Sequence, residues 1–181
     1  AVGSVRGSGN VYLNNGNLTL LGGGFRSNIT GTLNGSGGLT VGSNAYALLN
    51  ADSSATYTGN ITVNGGGTLE ITSAGAPGQG QLALNGTGGA SAWLLVGNGN
   101  ALNIPVSNAM SLTGDARIDV SPSSTATLTG ALVDGTAPGT LTVNSSDSGG
   151  GTVVLAQSSG ANTYTGGTFV NGGVLQAGAA N

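Results

Sequence analysis

The stretch Asn162-Thr-Tyr-Thr-Gly-Gly-Thr-Phe-Val-Asn171-Gly-Gly-Val-Leu-Gln176 has a counterpart a hundred residues earlier, Thr56-Tyr-Thr-Gly-Asn-Ile-Thr-Val-Asn64-Gly-Gly-Gly-Thr-Leu-Glu70. Tyr57 aligns with Tyr164, Gly59 with Gly166, Val63 with Val170, Asn64 with Asn171, and Leu69 with Leu175 once one glycine is dropped. Self-similarity of this kind marks a repeat architecture, in which supersecondary units bury their apolar faces against one another. The similarity reaches upstream. Ile29-Thr-Gly31 and Gly38-Leu-Thr-Val41 correspond to Leu128-Thr-Gly130 and Thr140-Leu-Thr-Val143, with the extra residues falling between strand-like runs.

Around these blocks, apolar residues alternate with polar or small ones at period two: Leu18-Thr-Leu20, Leu39-Thr-Val41, Ile61-Thr-Val63, Leu69-Glu-Ile71, Leu82-Ala-Leu84, Ile118-Asp-Val120 and Leu141-Thr-Val143. That is the signature of half-buried strands, and no segment carries the helical spacing. Turn signals such as Asn34-Gly35, Asn64-Gly65, Asn85-Gly86 and Asn171-Gly172 recur about every ten residues. Asn and Gly tolerate positive φ, which predicts left-handed corners at Asn64-Gly65 and Asn171-Gly172 rather than ligand-binding positions. An antiparallel sandwich and a parallel β-helix both fit short, evenly spaced strands. Only a solenoid, which grows by duplicating coils, explains two related blocks so far apart. The expectation is an all-β, right-handed parallel β-helix of roughly seven or eight coils. Leu39, Val41, Ile61, Val63, Leu69, Leu82, Leu84, Ile118, Val120, Leu141, Val143 and Leu175 are expected inside.

The run from Gly139-Thr-Leu-Thr-Val through Thr152-Val-Val-Leu and Asn162-Thr-Tyr-Thr-Gly-Gly-Thr to Val174-Leu-Gln-Ala-Gly178 resembles the passenger-associated transport repeat of autotransporters, also called the autotransporter-associated β-strand repeat. Residues 139–178 form the clear copy. Residues 29–71 resemble a degenerate one, with Asn60-Ile61 in place of the Gly-Thr that follows Tyr-Thr-Gly. The resemblance implies a surface-exposed segment of a type V secreted passenger. Its implied partner is its own outer-membrane translocator barrel, and host surfaces or sister passengers are further candidates. It implies a cell-surface or secreted location reached through the periplasm. For Tyr57 and Tyr164 it implies a structural role at a corner, the hydroxyl reaching solvent or backbone. The whole of 1–181 reads as one β-helix segment cut at both ends from a longer passenger.

Composition agrees with export and argues against several functions. The 181 residues include 37 glycines but only 5% charged residues, and the 38% hydrophobic content sits in short regular runs, so the chain reads as folded rather than disordered. There is no Cys, which leaves no disulfide or thiolate site and suits a chain that stays unfolded until exported. Three arginines against six acids leave a net charge of −3, with no basic footprint for nucleic acid. No apolar run approaches the roughly 20 residues of a membrane span.

Catalysis has few candidate groups. Without His or Lys the many hydroxyls have no partner base, so acid–base chemistry falls to Asp52, Glu70, Asp115, Asp119, Asp134 and Asp147. In Asp115-Ala-Arg117-Ile-Asp119, period two places three charges on one side of a strand, as in carboxylate clusters of β-helical carbohydrate enzymes. The alternative is an outward salt-bridge ladder, and that is the expectation. Asp134-Gly135 and Asp147-Ser148 lie in Gly-rich turns, but neither has a neighbouring acid to complete the six to eight oxygens calcium requires. No catalytic, metal or cofactor residue is assigned. Trp93, in Ala92-Trp-Leu-Leu-Val96, competes with its neighbours for the inside, an exposed groove position being the alternative. Finally, the alignment puts Phe169 where the first copy has Thr62, and Val174 where it has Thr68. The two form a candidate lateral contact on adjacent strands of one face.

Overall fold

The computed structural model describes residues 1–97, 99–144, 150–157 and 161–178. Among them every strand-to-strand pairing is parallel, and no helix occurs. The chain winds as a β-helix of about seven turns, each turn running along three sides of a roughly triangular coil. Ile61–Asn64 and Thr68–Ile71 do not fold back on each other. Ile61–Asn64 lies between Leu39–Val41 and Leu82–Asn85, and Thr68–Ile71 lies between Tyr46–Leu49 and Ala92–Val96.

The first side stacks Leu18–Leu20, Leu39–Val41, Ile61–Asn64, Leu82–Asn85 and the opening halves of two long strands, Met110–Val120 and Leu132–Val143. Those long strands turn a corner without losing their pairing, with a register shift between Leu112 and Gly114. Their second halves join the second side, which stacks Arg6–Gly7, Arg26–Ile29, Tyr46–Leu49, Thr68–Ile71, Ala92–Val96 and, at the far end, Thr168–Val170. Eight rungs at the inter-strand spacing make this side about 34 Å long. The third side is strand-paired at both ends, by Val11–Tyr12 with Leu33–Asn34 and by Asn103–Val106, Thr125–Leu128, Thr152–Leu155 and Val174–Ala177. Between them, Tyr57 and Ala76 fill the side from irregular backbone.

Period two turns one residue of every pair inward, and stacking aligns those residues into ladders. Leu39, Ile61, Leu82, Met110 and Leu132 form one; Leu69, Leu94, Ile118 and Val143 form another; Ile71, Val96 and Val120 a third. All are essentially free of solvent. Of the residues expected inside, only Leu175 is partly exposed: it stacks on Val153 in the last described rung, and no later described rung covers it.

Corners require glycine where rungs approach. A Cβ on Gly59 would lie 2.0 Å from the carbonyl oxygen of Gly37, and one on Gly80 would lie 1.9 Å from that of Gly59. Each carbonyl of this glycine column therefore occupies the space where the next rung's side chain would begin.

The predicted corner asparagines need correction. Neither residue of Asn64-Gly65 or of Asn171-Gly172 is left-handed; the positive φ falls on the next residue, Gly66 (81°) and Gly173 (58°). A glycine adopts that conformation without the Cβ penalty an asparagine carries. Asn44 and Asn144 are the asparagines that do take it, among the described residues.

Candidate functional site

The three outer faces differ in chemistry. The first shows the row Thr19, Thr40, Thr62, Ala83, Ser111, and the third shows Asn103, Thr125, Thr152, Val174. The second is different. Its central row reads Arg26, Tyr46, Thr68, Trp93, Arg117, Thr142, Phe169 from one end to the other. The strands of this face carry all three arginines of the chain, its only tryptophan and its only glutamate.

Each arginine is stacked on an aromatic ring. The Arg6 guanidinium lies 6.0 Å from the centre of the Phe25 ring, Arg26 4.3 Å from Tyr46, and Arg117 5.2 Å from Trp93. Stacking suits guanidinium because it is planar and weakly hydrated. Arg26 also pairs with Glu70, whose Oε2 accepts a 2.7 Å hydrogen bond from the Tyr46 hydroxyl. Glu70 is only 3% exposed, while the side chain of its partner Arg26 is about half exposed. Burial raises the Tyr46 pKa, the nearby Arg26 charge opposing it. Nothing in the local sequence singles out this trio; the signal is spacing by one coil, which brings Arg26, Tyr46 and Glu70 onto successive rungs.

Farther along, Asp115 and Arg117 pair at 3.3 Å as expected. Burial pushes the Asp115 carboxyl up, but hydrogen bonds from Ser91, Thr142 and Arg117, with the Arg117 charge, outweigh it and hold the pKa below the usual carboxylate value. Asp119 does not match the expected outward ladder. It has the outward parity but is buried, at 1% exposure. The adjoining corner is drawn over the strand end: Asn144 donates its N–H to Ile118 O and accepts the Val120 N–H through Oδ1, while Gly150 and Gly151 donate to Val120 O.

Asp134 and Asp52 have structural partners. Asp134 accepts from the Gly139 N–H, the Thr165 hydroxyl and the Thr165 N–H, which hold its pKa down and tie two coils together. Asp52 is held down by the hydroxyl and N–H of Ser54. Asp147 lies outside the described residues. Among the described residues no three metal-ligating side chains gather. Trp93 points outward and is partly buried, while Leu94 takes the inside.

The aligned repeat residues have an unexpected arrangement. Tyr57 is fully buried, with its hydroxyl donating to the backbone oxygen of Asn60 at 3.3 Å. Burial drives its pKa to about 12, against a weaker opposing hydrogen bond at Leu39. Tyr164 is partly exposed and its hydroxyl meets Thr168 Oγ1 at 2.5 Å. Val63 belongs to the first side but Val170 to the second; Leu69 belongs to the second but Leu175 to the third. The second copy is rotated by one side of the triangle relative to the first. Phe169 consequently stacks on Thr142, in the row of Thr68 rather than of Thr62, and Val174 stacks on Thr152 on another face. Both are exposed, at 56% and 52%, yet they do not share one lateral patch.

Comparison with protein families matches the passenger-associated-transport-repeat at residues 49–71 and 146–177, the stretches that hold the aligned residues of the two copies. The chain carries autotransporter passenger repeats. The repeats imply linkage to an autotransporter translocator and a cell-surface or secreted location. Comparison with curated proteins and with solved structures yields no match. No helix among the described residues is long and apolar enough to cross a membrane.

Proposed function

We propose that this chain is a stalk segment of an autotransporter passenger, whose coil-by-coil stacking promotes its own folding and secretion at the cell surface. The observation that supports this reading is the locality of the contacts. Inter-coil hydrogen bonds join residues about two dozen apart, as in Val5 to Ser27, Tyr46 to Glu70 and Thr56 to Leu33. An emerging coil needs only its neighbour as template, and such nearest-neighbour architectures propagate from any folded end. Local contacts also keep the loop-closure cost low. On this reading Tyr57, Gly59, Val63, Asn64 and Leu69, with Tyr164, Gly166, Val170, Asn171 and Leu175, are folding residues, and the segment is non-enzymatic.

In the full-length precursor, Leu94→Asp would interrupt an inside ladder while Thr62→Asp would alter only an outer row. The core variant should reach the surface more slowly and be degraded in the periplasm, the outer variant should match the parent, and surface protease accessibility over time reads both. Equal arrival of Leu94→Asp and parent would refute a role for stacking in secretion.

A contribution to adhesion belongs to the same proposal, with the second face as the contact surface toward a host surface or sister passengers. The gathering of Tyr46, Trp93, Phe169 and all three arginines on one face supports it. Soluble passenger lacking those side chains should compete less well for cell attachment than the parent.

A further inference from the structure

Thr68 is a small member of the central row, flanked by aromatic side chains on both sides, Tyr46 on one rung and Trp93 on the next. With Gly66 and Ser91 beside it, the short side chain leaves an open pocket of about 360 Å³, lined by Gly66, Thr68, Ser91, Trp93 and Arg117. The lining combines an aromatic wall, two hydroxyls and a guanidinium. Arg117 stacks on the Trp93 ring from the rung beyond and itself lines the pocket, so the ring and the guanidinium border the same space as Thr68.

The charges are already compensated. Arg117 Nε is bonded to Asp115, whose oxygens also accept from Ser91 and Thr142, so the pocket presents fixed donors without a free cation or anion. The guanidinium's terminal N–H groups are not used by Asp115. This pattern is complementary to a molecule that is apolar on one face and rimmed with hydroxyls. The volume lies at the small end of ligand sites, about 300–1,000 Å³, which suits one or two rings of a larger chain.

We propose that this pocket binds a neutral saccharide unit. The C–H face of a pyranose ring packs on Trp93, and its hydroxyls bond to Thr68, Ser91 and the free N–H groups of Arg117. A second ring, Tyr46, stands two rungs or about 10 Å along the same row, so the site lies on a track parallel to the rod. The pocket deepens the adhesive part of the proposed function and does not depend on the folding and secretion part.

Trp93 is the sole tryptophan, so emission excited selectively at tryptophan, beyond the absorption of the four tyrosines, reports on this pocket. The test titrates cellohexaose, maltohexaose, chitohexaose, mannohexaose and a sulfated heparin hexasaccharide into the chain. At least one neutral hexasaccharide should shift Trp93 emission saturably, with a Kd of about 0.1–5 mM. By calorimetry, Trp93→Ala should bind it about tenfold more weakly or worse. Thr68→Leu, which keeps the ring and fills the pocket, should abolish binding, while Phe25→Ala should leave it unchanged. The inference fails if no neutral hexasaccharide binds below about 20 mM, if only the sulfated one binds, or if Thr68→Leu binds as the parent does. Normal secretion of a Thr68→Leu precursor would separate loss of this site from loss of the stalk.

Discussion

Gly59→Ala tests whether the glycine column at the corner is a packing requirement. Gly59 does not have a left-handed φ, so alanine is compatible with its backbone conformation. At an uncrowded position the substitution would stabilise by about 0.4–1 kcal/mol, by restricting the unfolded chain. Here the new methyl would stand 2.0 Å from Gly37 O and 2.8 Å from the Tyr57 ring and hydroxyl, where ordinary contact begins near 3.4 Å. The two rungs must separate by more than an ångström or the corner must twist. Overpacking of this kind costs about 1–3 kcal/mol. Spreading the rungs also strains the flanking bonds Thr58 N to Gly35 O and Leu39 N to Asn60 O, both 3.0 Å, at about 1 kcal/mol each. After the entropic gain, a net loss of about 2–4 kcal/mol remains, which lowers Tm by about 5–15 °C for a chain this long. Gly16→Ala is the control, since nothing lies within 4 Å of its would-be Cβ; it should be neutral or slightly stabilising. Thermal unfolding followed by circular dichroism reads both, and hydrogen exchange at Thr58 and Leu39 locates the damage. The reasoning is refuted if Gly59→Ala melts within about 1 °C of the parent, or if Gly16→Ala falls as far.

Glu70→Ala removes the acceptor of the Tyr46 hydroxyl and the partner of Arg26; because Arg26 can turn to water, the loss should be about 1–3 kcal/mol, read by denaturant midpoint. Asp115→Asn acts on a more exposed pair and should cost only about 0–1 kcal/mol at neutral pH. The depressed Asp115 pKa means its stabilisation is present above the ordinary carboxylate value and is lost as pH falls through the lower folded value, so the Asn variant should show a shallower acid decline in melting temperature. Tyr57 has the opposite sign: its folded pKa of about 12 exceeds the ordinary tyrosine value of 10.0, so stability is full below pH 10 and declines between pH 10 and 12. Tyr57→Phe should flatten that alkaline decline in melting temperature.

Alternation made the inside ladders legible, because burial of every second residue leaves a mark in any strand. Ile61, Val63, Leu69, Ile118 and Val120 could be named from their neighbours alone, and all are buried. Stacking leaves no such local mark. Coil length varies, as the row Leu39, Ile61, Leu82, Met110 and Leu132 shows by its longer step between Leu82 and Met110. Sequence similarity therefore aligned Val63 with Val170 although they occupy different sides, and it joined Phe169 to Val174 on a face they do not share. The Arg26–Tyr46–Glu70 trio and the Trp93 pocket were hidden for the same reason: their members meet only after the rungs are matched. Asp119 shows a further limit, since parity gives the direction of a side chain but not what a neighbouring corner draws over it.

The unequal steps also bear on how such a rod can change over generations. The extra residues between Leu82 and Met110 loop out at corners and leave every inside ladder in register. A single residue inserted within Ile61–Asn64 would instead turn Ile61 or Val63 outward and strand an apolar side chain in water. Duplication of a whole coil preserves parity and simply adds one rung, lengthening the rod by about 4.8 Å. Heredity can thus adjust the reach of the molecule in fixed increments, with no new core to invent at any step.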